Sequence, residues 1–408
     1  MESAYDRRAS QLQLAVIQPS PFCNIDCKYC YLPDRTLVRR MSPKIVEQSF
    51  RFLLEKPEWL ASPFVIAWHA GEPLAVPMEF YESAFVLLHR LAPASCAIEN
   101  WFQTNATLIT QEWCDFIKRW DVRVGVSIDG PERIHDWNRR DRAGKGTFKR
   151  VFQGTDLLKA NGIEFTAIGV LSQQSLDYPE EIWRFYAELG VNSLALNFEE
   201  VEGTHRNSSL GGKACTDRAR AFFETLLQLR NREAPEIAIR ELDYFLDGIF
   251  GWSADFRRTE NLPLCIIGIA WNGDVSTFSP ELIGMKDPLF EDFVFGNVAT
   301  DSLATILESP KFKAVHREIE AGVQRCKETC DYFCVCGGGQ PSNKLYENGA
   351  FDSTETQACR LRIQAVAEVA LNFLEKECGL APRPAMPIRQ RLNALRLSLA
   401  SAHPVLGR

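Results

Sequence analysis

The run LQLAVIQPSPFCNIDCKYCY, residues 12–31, sets Cys23, Cys27 and Cys30 directly after an apolar, strand-like segment. Cys-x3-Cys-x2-Cys gives three thiolates to one face of a tight loop. Electron-transfer [4Fe–4S] clusters close all their iron positions with cysteine. Three protein ligands leave one iron open, and an open iron is a place for a substrate or cofactor to bind. A structural zinc loop would want a fourth ligand close by, and the nearest histidine, His69, is far off in sequence.

Outward from this loop, short apolar strands alternate with helical stretches. The strand candidates are LQLAVI (12–17), PFVIAWH (63–69), IENWFQT (98–104), VRVGVSI (122–128), EFTAIGV (164–170) and SLALNF (193–198). Amphipathic runs lie between them, several opened by Ser, Thr or Pro and two closed by Gly. Six strand–helix units in succession predict a parallel sheet with outer helices, an α/β partial (β/α)6 barrel of the TIM type over 12–235. Active residues of such folds gather at the carboxyl ends of the strands, where the three cysteines stand. Residues 1–11 read as an N-terminal tail. Residues 236–380, with short elements and returning cysteines, read as a second, irregular region built around metal. Residues 381–408 hold five arginines and no acids; Ile388, Leu392, Leu395 and Leu399 have helical spacing, so this tail is either a short basic amphipathic helix or a disordered or loosely docked segment.

The formal charge of −7, with no long basic block, gives nucleic-acid binding no electrostatic support. No apolar run reaches the ~18 residues of a membrane span, and MESAYDRRASQ carries no signal-peptide core, so the expectation is a cytoplasmic chain without membrane contact. Thirteen cysteines are many for a reducing compartment, and their short spacings favour metal ligation over disulfides.

Further motifs follow the strands. HAGEP (69–73) follows strand 2, QTNATL with Asn105 follows strand 3, and SIDGP with Ser127 and Asp129 follows strand 4, leading to HDWNRRDRAGKGTF. Together with the cysteine loop, these resemble the radical S-adenosylmethionine (SAM) enzymes, in which SAM chelates the fourth iron. The resemblance implies that Tyr29, just before the third cysteine, belongs to the cluster motif, and that Ala70, Gly71, Glu72 and Pro73 form the turn holding the SAM amino group. Ala70 stands where the family has Gly. Asn105 and Ser127 would be further SAM contacts, with Arg139 on the SAM carboxylate and Arg142 its rival. From the residues alone, Asn105 and Asp129 also suit tight turns.

The second region resembles the SPASM extension of radical SAM peptide maturases, which carries auxiliary iron–sulfur clusters. That pattern implies Cys326, Cys330, Cys336 and Cys359 as ligands of one auxiliary [4Fe–4S] cluster, with Cys334 competing for the place of Cys336 and zinc as the alternative metal. The other auxiliary site looks degraded: Cys265 remains, but GDVSTFSPEL lacks the next cysteine and Gln340 stands where another ligand would fall. FSPEL (278–282), YFCVCGGGQPSNKLYENGAF from Tyr332 and the TET before Cys359 are most similar to the Grr-type maturases, which form cyclophanes in glycine-rich-repeat precursors. The implied reaction is abstraction of a β-hydrogen in a ribosomally made precursor peptide by a 5′-deoxyadenosyl radical, then closure of a carbon–carbon bond to an aromatic ring. Asp129 and Glu199, at strand ends, are the candidate bases. Flavodoxin or ferredoxin would be the electron donor. The alternatives are serine or cysteine oxidation as in anaerobic sulfatase maturases, thioether formation, and a non-catalytic iron–sulfur carrier. Thioether maturases often carry a leader-binding domain, and about 20 residues precede the loop. The precursor would be held by an exposed strand edge or by the basic tail.

Overall fold

The computed structural model describes residues 11–248, 256–381 and 386–402. Residues 1–10 of the expected tail, and 382–385 and 403–408 at the other end, lie outside the described residues.

All six expected strands form: β1 (Leu12–Ile17), β2 (Leu60–Trp68), β3 (Ile98–Thr104), β4 (Arg123–Ser127), β5 (Phe165–Leu171) and β6 (Ser193–Phe198). They pair in parallel, each with the next. The start and stop signals act as read. Ser42 caps the helix Pro43–Leu53 by accepting the Ile45 N–H, and Thr110 caps Gln111–Trp120 through the Trp113 N–H. Gly190, at φ 72°, ends Pro179–Leu189 in the left-handed conformation.

The metal-rich region is less separate than its sequence suggests. β8 (Ile266–Ile269) pairs in parallel with β1, and β9 (Asp274–Thr277) folds back antiparallel on β8. With β7 (Ala238–Ile239) beside β6 and β10 (Gly296–Asn297) beside β9, one open sheet runs β10-β9-β8-β1-β2-β3-β4-β5-β6-β7. β1, which delivers the cysteine loop, therefore lies inside the sheet, buried by neighbours on both edges. The outer strands are two residues long. Beyond β7 the backbone of β6 is met by Glu241, whose carboxylate accepts the Leu196 N–H at 2.9 Å, so the edge offers little to an incoming peptide strand.

The tail expectation resolves to a docked helix, Ile388–Ala402. Ile388, Leu392 and Leu395 are buried. Arg391 is fully buried too, donating to Glu368, Glu375 and Asn372 at 2.6–3.1 Å. At that arginine the charge is spent inside the protein.

Beneath β2 the core is aromatic. Trp68 is fully buried with Phe50, Phe80, Tyr81 and Phe85 at centroid distances of 5.3–6.3 Å, and its indole N–H donates to Asn100. Trp68→Ala is expected to cost about 3–5 kcal/mol, read as a fall in the denaturant midpoint. Leu289→Ala, at a side chain 87% exposed, should change it by no more than ~0.5 kcal/mol.

Candidate functional site

The carboxyl ends of the parallel strands surround a cavity of about 480 Å³, within the usual range for small-molecule sites. Cys23, Cys27 and Cys30 line one part of it, together with Tyr29, Gly71, Glu72, Asn105, Ser127 and Arg139. Residues from four separate strand ends thus meet in one place.

The cysteine loop is held from two sides. Glu72 N–H donates to the Phe22 carbonyl at 2.8 Å, and Gln18 Nε2 donates to the Ala70 carbonyl at 2.7 Å. Gly71 passes so close that a Cβ there would lie 2.1 Å from the Ser20 carbonyl oxygen. Ala70 adopts φ 61°, a conformation that explains a glycine preference at this turn. On the other side the loop pairs with 138–146: Asp26 N–H donates to the Arg140 carbonyl, Lys28 N–H to the Asn138 carbonyl, and Arg142 to the Cys23 carbonyl at 2.7 Å.

Each remaining motif residue has a defined neighbour. Glu72 is 1% exposed, and burial pushes its carboxyl up to about 7. It accepts from Leu74 N–H, Thr104 Oγ1 and Asn105 N–H, tying the β2 turn to the β3 turn. Asn105 Nδ2 reaches Cys23 Sγ at 3.8 Å. Gln103 donates to Ser127 Oγ. Asp129 accepts from Tyr29 Oη at 2.6 Å, Arg139 Nε at 2.9 Å and Val170 N–H at 3.0 Å. Arg139 lies over the Tyr29 ring and extends to 4.0 Å from Cys27 Sγ. Arg142, exposed, spends its donors on the carbonyls of Cys23 and Arg35. Glu199 accepts from Ser209 and pairs with His205. Three donors thus commit the oxygens of Asp129, and an imidazole or a hydroxyl partner faces each oxygen of Glu199.

A second cavity, of about 380 Å³, is lined by Cys326, Cys330, Cys336 and Cys359. Cys326 and Cys336 are the buried members, and Gly339 N–H donates to the Cys336 sulfur at 3.1 Å. Cys334, two residues away on the same short helix, points instead to the Asp331 carbonyl. Cys359 opens a π-helical turn, Cys359–Gln364, that runs on into the helix Ala365–Glu377. Sequence reasoning gave no sign of this turn.

Both sets fit an iron–sulfur group. The thiols surround cavities, three cysteines in the first and four in the second. Peptide and side-chain N–H groups point at sulfur, a contact that tunes such clusters. Burial pushes the Cys23 and Cys27 thiols up to about 12, so ligation must displace protons against that penalty, the usual coupling of metal binding to pKa.

The far wall of the first cavity holds Gln340, the residue standing in a cluster ligand's place, and residues that the motifs did not point to: Glu200, Glu202, Glu260, Glu281 and Arg362. Gln340 donates to Glu260 at 3.0 Å and accepts from Arg362 at 2.8 Å. Burial works to raise the Glu260 carboxyl, but Arg258 and Arg362 hold it down to about 2. Burial and mutual repulsion raise Glu202 and Glu281. The signals available in sequence were the FSPEL run, which contains Glu281, and Gln340 in the place of a cysteine.

Two substitutions test this geometry. Cys336→Ala is expected to remove about four irons per reconstituted chain, the content of one cubane, and Cys334→Ala to remove none. Gly71→Ala should lower both iron content and SAM affinity, measured by iron assay and equilibrium binding, because the new methyl displaces the loop from the β2 turn.

The radical SAM superfamily pattern matches residues 17–186, and the iron–sulfur cluster-binding SPASM domain pattern matches 262–331. The uncharacterized protein sll1766 of Synechocystis sp. is 41% identical over 90% of this chain and 93% of its own length. A serine-type anaerobic sulfatase-maturating enzyme of Bacteroides thetaiotaomicron is 27% identical over 94% of this chain and 96% of its own. Among solved structures, native anSMEcpe with bound AdoMet has a TM-score of 0.71 at 22% identity, covering 90% of this chain and 99% of that one. Streptococcus suis SuiB bound to precursor peptide SuiA has a TM-score of 0.62 at 16% identity, covering 86% and 76%. The cofactors are a SAM-binding iron–sulfur cluster, an auxiliary cluster and SAM. With these two patterns on one chain and a relative 41% identical along nearly all of it, the chain belongs to the radical SAM superfamily and carries a SPASM domain.

Proposed function

We propose that this enzyme joins two side chains of a ribosomally made precursor peptide by a carbon–carbon bond, closing a cyclophane on an aromatic residue. The observation that carries the reading is the far wall of the first cavity. Where a second auxiliary cluster would need Gln340 to be a cysteine, Gln340 is locked between Glu260 and Arg362. That leaves the four cysteines of the second cavity as one complete ligand set, and the space beside the SAM contacts free for a peptide.

In this reading Cys23, Cys27 and Cys30 hold the open cluster, and Cys326, Cys330, Cys336 and Cys359 the closed one. When bound, the open cluster with SAM supplies a 5′-deoxyadenosyl radical and the closed one an acceptor for a single electron. The turn 70–73, Asn105, Ser127 and Arg139 orient SAM, with Arg139 itself aligned by Asp129. The crosslink removes two hydrogens from the peptide, one as an atom and one as a proton with its electron. Glu202 and Glu281, raised by burial and facing the cavity, suit the proton step better than Asp129 or Glu199. The precursor enters the first cavity between the SAM contacts and these acids.

Sulfatase-type oxidation is the second reading, favoured by likeness to the Bacteroides enzyme along nearly the whole chain. It also removes two hydrogens, so mass alone does not separate the two. Reconstituted enzyme with SAM, reductant and a glycine-rich precursor bearing aromatic residues is expected to yield 5′-deoxyadenosine and a peptide lighter by two hydrogens per site. Tandem mass spectrometry should show no backbone fragments between the joined residues. A hydrazide-reactive aldehyde would establish oxidation instead. Glu281→Gln should cut crosslinked product by about 10²-fold, the usual weight of a proton-transfer group, while deoxyadenosine still forms.

A further inference from the structure

One short helix stands between the two cavities. Pro341–Asn348 begins directly after Gln340, in the QPSNKLYENG stretch of the second region. Ser342 and Asn343 turn to the first cavity, where they donate to Glu202 at 3.0 and 3.1 Å. The next residue, Lys344, turns to the second. Its Cε and the Cys359 Sγ approach the same point: a Cβ added at Gly339 would lie 3.5 Å from each. Its amine is both the hydrogen-bonding side chain and the cation that faces the Cys326 thiol. Gly322 leaves room for that amine, since a Cβ there would come within 3.1 Å of Nζ.

The burial of this lysine calls for a partner. It is 1% exposed, and lysines are almost never buried so fully unless they are paired. Four arginine and lysine side chains are buried among the described residues. Arg139 pairs with Asp129, Arg230 with Asp243, and Arg391 with Glu368 and Glu375. Lys344 has no carboxylate within ion-pair distance among the described residues, and its side-chain partner is sulfur. A neutral thiol does not balance a buried ammonium. Four thiolates on an iron–sulfur group, with their net negative charge, do. Other charges beside that cavity are already matched: Arg258 with Glu260 at 3.4 Å, and Glu355 with Arg360 at 2.7 Å.

We infer that Lys344 is the buried counter-charge of the group held by Cys326, Cys330, Cys336 and Cys359, and that it raises that group's reduction potential. Net charge and hydrogen bonds to sulfur set the potential of such groups. An added electron deepens the negative charge beside the amine, so a fixed cation there favours the reduced form over the oxidised. In the proposed reaction that electron is the one released when the peptide gives up its second hydrogen as a proton; no bond to sulfur forms or breaks. Lys344 touches no substrate and acts through the Cys326 sulfur, as a positioning residue. The inference rests on the second cysteine set holding an iron–sulfur group and not on the identity of the peptide product.

The test is a redox titration of the reconstituted full-length enzyme, followed by electron paramagnetic resonance, with iron counted in each preparation and no peptide present. The signal of the second set is the one that SAM leaves unchanged. Lys344→Met and Lys344→Gln remove the charge at similar length, and Lys344→Arg keeps it. At the wild-type midpoint, each neutral variant is expected to show a reduced-to-oxidised ratio at least tenfold lower, a shift of about 59 mV for one electron. Iron content and the midpoint of the SAM-sensitive signal should stay as in the wild type, and Lys344→Arg should restore the ratio. An unchanged midpoint in both neutral variants overturns the inference. So does an equal shift in Lys344→Arg, which would reduce the residue to packing. Where the neutral variants take up no iron at the second set, retention by Lys344→Arg supports the counter-charge and loss from it overturns it. If the potentials shift as expected but no peptide is crosslinked, the proposed product is rejected and the counter-charge stands.

Discussion

The close approach of two backbone segments governs this site. Gly71 leaves no room for a side chain against the Ser20 carbonyl, and Glu72 N–H donates to the Phe22 carbonyl. The turn after β2 is thereby pressed onto the start of the cysteine loop, and one placement sets both. Glu72 extends the constraint to the next strand by accepting from Thr104 and Asn105, and Asn105 returns to Cys23. Three turns from three strands are closed into a ring of short contacts. A thiolate set with one open coordination site needs such support, because its geometry is not completed by a fourth protein ligand.

The sheet carries that ring to the second region. β8 takes the free edge of β1, with Leu14–Ile17 in register with Ile266–Ile269, so the cysteine-rich region is anchored to the strand that bears the first cysteines. The helix Ala365–Glu377 packs against the barrel side, and the π-helical turn before it turns Cys359 to one cavity and Arg362 to the other. The wider π turn sets side chains three apart further around the axis than an α-helical turn would. The buried Arg391 then ties the last described helix to Glu368, which also accepts from Tyr332 beside the second cavity.

What could be read in the sequence was local. Strand periodicity and caps placed six strands within a few residues, since parallel strands buried on both faces are continuous apolar runs. The thiolate spacings were legible because ligand geometry is set by short loops. The helical spacing of Ile388, Leu392 and Leu395 was visible too, but not the burial of Arg391, which depends on acids from another helix. The continuation of the sheet through β8 was hidden in the same way: IIGI is too short to announce its partner. Cys336 and Cys334 differ by half a helical turn, and only a fold with Cys326 and Cys359 in place shows which one faces the cavity.

The acids of the first cavity show why a motif residue and a working residue need not coincide. Asp129 is placed by its motif and then fully used, with Tyr29, Arg139 and Val170 on its oxygens, and its ion pair with Arg139 is one of which both members are almost completely buried. Glu202 and Glu281 have the opposite environment. Their donors are mainly neutral side chains, Ser342 and Asn343 for Glu202 and Ser279 for Glu281, and burial raises both carboxyls. Burial makes the ionised form of each a stronger base than an ordinary carboxylate, the environment that suits a proton-accepting group. The cysteine loop orients its surroundings with paired charges, whereas Glu202 and Glu281 across the cavity meet mainly neutral donors; between them lies the volume in which a peptide side chain would be changed.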